Sequence, residues 1–122
     1  MTGILWAVIQ SPLLIQRRYT LGKADHITLQ YGVNLKDWQH LLGVEFTATC
    51  LYEAWNGNIQ CVAVSLPESI PCANLHPHIT VSWKAGISPV KSNTMLASKF
   101  NYQLLNLQVK CKIEFMKWTN PD

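Results

Sequence analysis

The sequence predicts an α+β domain built mainly of antiparallel strands, and three observations predict it. Several segments alternate apolar and polar residues with the period of two that puts one face of a strand in a core. An Asn-Gly pair sits between two of them, a hairpin signal. Two short stretches carry helical spacing with residues that start or stop helices.

The first element is the apolar run from Ile4 to Ile9, which reads as a buried strand because it is far too short to span a membrane. Ser11-Pro12 and Gln16-Arg17-Arg18 read as loop. In Asp25 to Gly32, apolar Ile27, Leu29 and Tyr31 alternate with polar His26, Thr28 and Gln30, giving a strand with one core face and one polar face. Asn34 is a helix cap for a helix over 35–42, with Leu35, Trp38, Leu41 and Leu42 at helical spacing and Gly43 ending it in a left-handed conformation.

Val44, Phe46, Ala48, Cys50 and Tyr52 then alternate with polar neighbours up to Asn56-Gly57, read as a type I′ turn into a return strand over Ile59 to Ser65. Pro67, Pro71 and Pro77 bracket a loop. Beyond it His78, Thr80, Ser82 and Lys84 alternate with Ile79, Val81 and Trp83, a second polar-faced strand. Ser88-Pro89 signals a helix running to Phe100, and Leu105 to Phe115 is the cleanest alternating strand. The sum is about seven strands and two short helices in one domain over residues 1–122, in the order strand, strand, helix, hairpin, strand, helix, strand.

Composition narrows the function classes. Hydrophobic residues make up 48% of the chain and charged ones 14%, which excludes a disordered chain. A net charge of +3 suits phosphate-bearing partners without giving the surface a nucleic-acid-coating character. Cys50, Cys61, Cys72 and Cys111 show no C-x-x-C spacing and no secretory signal precedes them, so reduced thiols and a cytoplasmic location are expected, with no membrane role.

The chemistry lies in a repeated tripeptide. His-Ile-Thr occurs at 26–28 and again at 78–80, each time opening a strand. Side chains two apart on a strand share a face, so each copy projects an imidazole beside a hydroxyl. Cleaving a phosphodiester requires removing a proton from the nucleophile and delivering one to the departing oxygen, and two histidines titrating near neutrality do both. Thr28 and Thr80 would donate to the non-bridging oxygens as charge gathers on them. The scheme requires no metal and no cofactor.

These motifs resemble those of the 2H phosphoesterases, which carry two His-x-Thr/Ser motifs on facing strands. His26-Ile27-Thr28-Leu29, ending in Gly32, looks like the first motif and His78-Ile79-Thr80-Val81 like the second. The resemblance implies a bilobal, two-sheet α+β fold with a central groove. It also implies hydrolysis of a 2′,3′-cyclic phosphate on RNA ends or nucleotides, with His26, Thr28, His78 and Thr80 catalytic. Some relatives cut cyclic oligonucleotide signals, which is one alternative; a fold retained as a non-catalytic binder of RNA ends or nucleotides is another. The family's usual order would make His26 the acid and His78 the base. The motif histidines are 52 positions apart and the chain is short for the family, which implies a minimal member with an open groove.

Around the motifs, Arg17 and Arg18 are candidate phosphate donors, and Ser82 and Lys84 are expected on the face of His78 and Thr80. His76 with His78 and His26 would be a metal alternative, weakened by Pro77 and by the lack of clustered acidic or cysteine ligands. His40 reads as a structural histidine beside the apolar stripe of its helix. Trp6, Trp38 and Trp83 are expected to face the core, leaving Trp55 and Trp118 free. The expected substrate partners are an RNA end, a cyclic nucleotide or a cyclic oligonucleotide, bound by a monomer with no partner protein.

Overall fold

The computed structural model describes residues 2–117. Its elements are β1 (Thr2–Ile9), β2 (Leu21–Gly22), β3 (His26–Asn34), α1 (Leu35–Trp38), β4 (Glu45–Trp55), β5 (Ile59–Ser65), β6 (His78–Trp83), α2 (Lys91–Leu96) and β7 (Asn101–Lys117). All seven strands belong to one antiparallel ladder in the order β2-β6-β5-β4-β7-β1-β3. The class is therefore α+β and mainly antiparallel, as its alternating segments predict. Where two separate sheets were expected, the hydrogen bonding runs unbroken through the long partners β4 and β7. The sheet curls into a half-barrel so that β3, at one edge, comes against β6 near the other.

The curl follows from where the apolar side chains go. Leu5 and Ala7 of β1, Ile27 and Leu29 of β3, Ala48 and Cys50 of β4, Val62 and Val64 of β5, Ile79 and Val81 of β6, and Val109, Cys111 and Ile113 of β7 form one buried cluster inside it. Each fully buried Ile or Leu contributes roughly 1.5–3 kcal/mol by leaving water. A second cluster, outside the curl, holds Ala54, Ile59 and Cys61 under Met95 and Leu96 of α2. β5 is buried on both faces for this reason, its six residues Ile59 to Val64 all lying below the surface.

Several local expectations change in detail. Asn34 caps α1 by accepting from the Lys36 backbone N–H at 3.1 Å, but the α-helix is one turn long and continues as a 3-10 turn over Gln39–Leu41. Gly43 follows at φ +84, a left-handed conformation that glycine adopts without strain. The β4–β5 hairpin is not type I′, which needs left-handed φ at both central residues. Because Trp55 pairs with Gln60, the central residues are Gly57 and Asn58, and only Gly57, at φ +92, is left-handed, the pattern of a type II′ turn. The Asn56 side chain accepts from the backbone N–H groups of Asn58 and Ile59, both at 3.1 Å, which fixes this register.

α2 begins at Lys91 and ends at Leu96, later and earlier than expected. Ser88 and Pro89 form a turn ahead of it, their carbonyls accepting from the N–H groups of Lys91 and Ser92. Phe100 instead joins an aromatic group with Tyr52 and Tyr102. Leu21–Gly22, between the loop at Gln16-Arg17-Arg18 and the strand opening at Asp25, forms a short strand that pairs with β6. No helix among the described residues is long and apolar enough to cross a membrane, and all four cysteines are free thiols. Trp118 lies outside the described residues.

Candidate active site

The approach of β3 to β6 sets both His-Ile-Thr tripeptides on one wall. Ile27 and Ile79 are fully buried in the core, so strand alternation sends His26, Thr28, His78 and Thr80 to the opposite face. There all four line a cavity of about 310 Å³ together with Lys23, Tyr31, Asn74, Trp83, Pro89, Val90 and Asn93. The loop bearing Asn74 is tied to β3 by the Ala73 N–H, which donates to the Leu29 carbonyl at 2.8 Å.

The two imidazoles are held alike at one nitrogen and differently in surroundings. His78 Nδ1 lies 2.7 Å from the His76 carbonyl oxygen, so Nδ1 carries the proton and donates, leaving the Nε2 lone pair unused. Burial pushes the proton affinity of His78 down; the neighbouring rings of His26 and His76 add to this, and the bond to the His76 carbonyl opposes it. His78 is therefore held as a neutral ring, the form of a general base. His26 Nδ1 lies 2.7 Å from Asp25 Oδ1, and the indole of Trp6 packs on the ring with centroids 4.5 Å apart.

The hydroxyls differ too. Thr80 Oγ1 is 3.0 Å from Ser92 Oγ, a fully buried residue of α2. Asn93, one residue on, points a side-chain oxygen into the protein with no hydrogen-bond partner.

Ser82, Lys84 and Arg17 lie outside this cavity's lining. Ser82 was expected on the face of Thr80, but the ladder shifts register where Gln60 pairs with Ser82 and Cys61 with Thr80, leaving Val81 as an extra residue. Alternation is thereby reversed: Ser82 is fully buried against Gln60, and Trp83 takes the cavity side. Lys84 is past the strand end, its ammonium 5.9 Å from the Tyr19 ring centre. Arg17 donates to the Gly22 carbonyl at 3.2 Å.

Arg18 is committed to structure. Its Nε donates to Glu53 Oε2 at 2.6 Å, and its guanidinium stacks 3.5 Å over Trp55, a ring read from sequence as free. Glu53 also accepts from the Gln60 amide at 2.7 Å, and Gln60 in turn binds the Arg18 N–H, pinning the 16–19 loop to the sheet.

Trp6, read as a core residue, is half-buried and packs on the His26 ring, because β1 pairs with β3 with Trp6 opposite Thr28. Trp38 packs on the core as expected, while His40 is exposed and stacks on it. Among the described residues no group of three His, Cys, Asp or Glu side chains is placed to hold a metal ion. Of the residues sequence reasoning missed, Asp25 had a signal, an acidic residue directly before a motif histidine; Lys23, Asn74 and Asn93 had none.

A family model described as the fungal tRNA ligase phosphodiesterase domain matches residues 22–115, a span holding both tripeptides, Asp25 and α2. No curated protein and no solved structure matches the chain significantly.

Proposed function

The chain belongs to the fungal tRNA ligase phosphodiesterase domain family, within the 2H phosphoesterases, and on that footing we propose that it hydrolyses a 2′,3′-cyclic phosphate at an RNA end or on a nucleotide. The observation that carries the reading is the lining of one cavity by both imidazoles, each with Nδ1 engaged and Nε2 left for proton transfer. Neutral His78 takes a proton from water at Nε2 as the water oxygen bonds to phosphorus. Protonated His26 gives its Nε2 proton to the ribose oxygen as the ring P–O bond breaks, and a ring-opened monophosphate results.

Thr28 and Thr80 are the donors to the non-bridging oxygens. Thr80 Oγ1 and Ser92 Oγ lie 3.0 Å apart and either hydroxyl can donate; with Ser92 as donor, the Thr80 hydroxyl keeps its own proton for the phosphate. Lys23 at the cavity supplies positive charge for the same oxygens.

The test is turnover of a nucleoside 2′,3′-cyclic phosphate in excess EDTA, with His26→Ala and His78→Ala beside the wild type. Each variant is expected to lose about a hundred- to ten-thousand-fold in kcat, the range for removing a general acid or base. A wild type that is inert on this substrate but opens cyclic dinucleotides would move the substrate to cyclic oligonucleotides. Tight nucleotide binding without any product would make the domain a binder.

A further inference from the structure

The two histidines differ in what stands behind Nδ1, and that difference carries information about the direction of proton flow. Behind His78 is a backbone carbonyl, which fixes the tautomer but carries no full charge. Behind His26 is a carboxylate at 2.7 Å, and across its face is the π surface of Trp6. The carboxylate at Nδ1 fixes which ring nitrogen carries the proton, and the indole packed on the ring fixes its orientation. Asp25 has its own side chain 58% exposed and its described contact is with His26, so no core packing accounts for its place there.

We propose that Asp25 is a positioning residue for the acid step: it holds His26 with Nδ1–H donating outward to the carboxylate, so that Nε2 faces the leaving ribose oxygen. The proposal rests on His26 being the general acid. Asp25 touches no reacting atom and acts only through His26.

An acid matters in proportion to how poor the leaving group is. A ribose alkoxide needs a proton to depart; 4-nitrophenolate does not. The test therefore measures Asp25→Asn, Asp25→Ala and Asp25→Glu on a nucleoside 2′,3′-cyclic phosphate and on thymidine 3′-(4-nitrophenyl phosphate). Asp25→Asn and Asp25→Ala are expected to lose about ten- to a hundred-fold in kcat on the cyclic phosphate with little change in KM, and less than about five-fold on the nitrophenyl ester. Asp25→Glu is expected to recover part of the loss. Equal losses on both substrates would make Asp25 merely structural and overturn the proposal, as would no loss on either.

A second measurement does not depend on turnover. Long-range ¹H–¹⁵N spectra at high pH are expected to show neutral His26 protonated at Nδ1 in the wild type and shifted towards the other tautomer in Asp25→Ala. A wild-type His26 protonated at Nε2 would overturn the proposal even if the protein were active. Correct tautomers in a protein inert on both substrates would instead sink the cyclic phosphate reading and, with it, the catalytic use of the pair.

Discussion

The indole of Trp6 lies against the imidazole of His26, ring centroids 4.5 Å apart and planes tilted by 44°. The contact exists because β1 pairs with β3 in a register that sets Trp6 opposite Thr28, and so beside the first His-Ile-Thr copy on the same face. Trp6→Leu keeps apolar bulk and removes the π surface. Its kcat on a cyclic phosphate is expected to fall about three- to ten-fold, matching the ~1 kcal/mol of a partly exposed cation–π contact. Trp6→Phe should retain most of the activity, and steady-state kinetics on the two variants check the difference.

Burial lowers the proton affinity of His78 below its ordinary value of 6.5, and the proposed base would work as the neutral ring. A lowered value keeps the ring neutral to lower pH. The acidic limb of kcat/KM is therefore expected below the ordinary imidazole value, where the free enzyme finally protonates. Stability follows the same sign. In the folded chain His78 resists protonation while the unfolded chain accepts a proton, so its full contribution is present above the ordinary value and is lost as pH falls through the window down to the lowered one. His78→Gln removes that titration, and its melting temperature should fall less than wild type's between about pH 7.5 and 5.5.

Arg18 and Glu53 make a different kind of pair. Glu53 is 9% exposed and Arg18 36%, so removing the arginine leaves a carboxylate nearly dry with only the Gln60 amide for company. Arg18→Ala is expected to cost about 1–3 kcal/mol, less than a fully buried pair because the arginine is half in water, and to lower Tm by roughly 3–15 °C. Neither residue lines the cavity, so kcat at a temperature where the variant is folded should stay within about two-fold of wild type. Thermal denaturation beside kinetics separates the two outcomes.

What sequence could and could not show divides along the same physical line. Strand period is local, so the sharing of a face by His26 with Thr28 and by His78 with Thr80 was legible, as were the cap at Asn34 and the left-handed Gly43. The far side of the cavity was not. Asn93 arrives by a helix lying over the sheet and Asn74 by a loop tied to β3, while Trp6, outside the cavity lining, reaches His26 through the β1–β3 register. Ser82 shows how one unpaired residue defeats alternation: the extra Val81 sends it to the buried side, where Gln60 and the Tyr19 N–H satisfy its hydroxyl. The continuous apolar run at Ile4 to Ile9 marked β1 as covered on both faces but could not say that a histidine was the cover.

Ser92 and Thr80 give a graded test of the donor role. Thr80→Ala deletes the hydroxyl proposed to donate to the phosphate, and kcat is expected to fall about ten- to a hundred-fold, as when one donor among several is lost. Ser92→Ala leaves that hydroxyl in place but takes away its partner at 3.0 Å, which frees Thr80 to rotate. A smaller loss of about two- to five-fold follows if orientation alone is at stake, with a stability cost of ~1 kcal/mol for the deleted buried hydrogen bond. Because both changes act through the same oxygen, the double variant should be no slower than Thr80→Ala by itself. Multiplying losses would mean that Ser92 reaches the reaction by another route, through Cys61 beside it or through the backbone that carries Asn93.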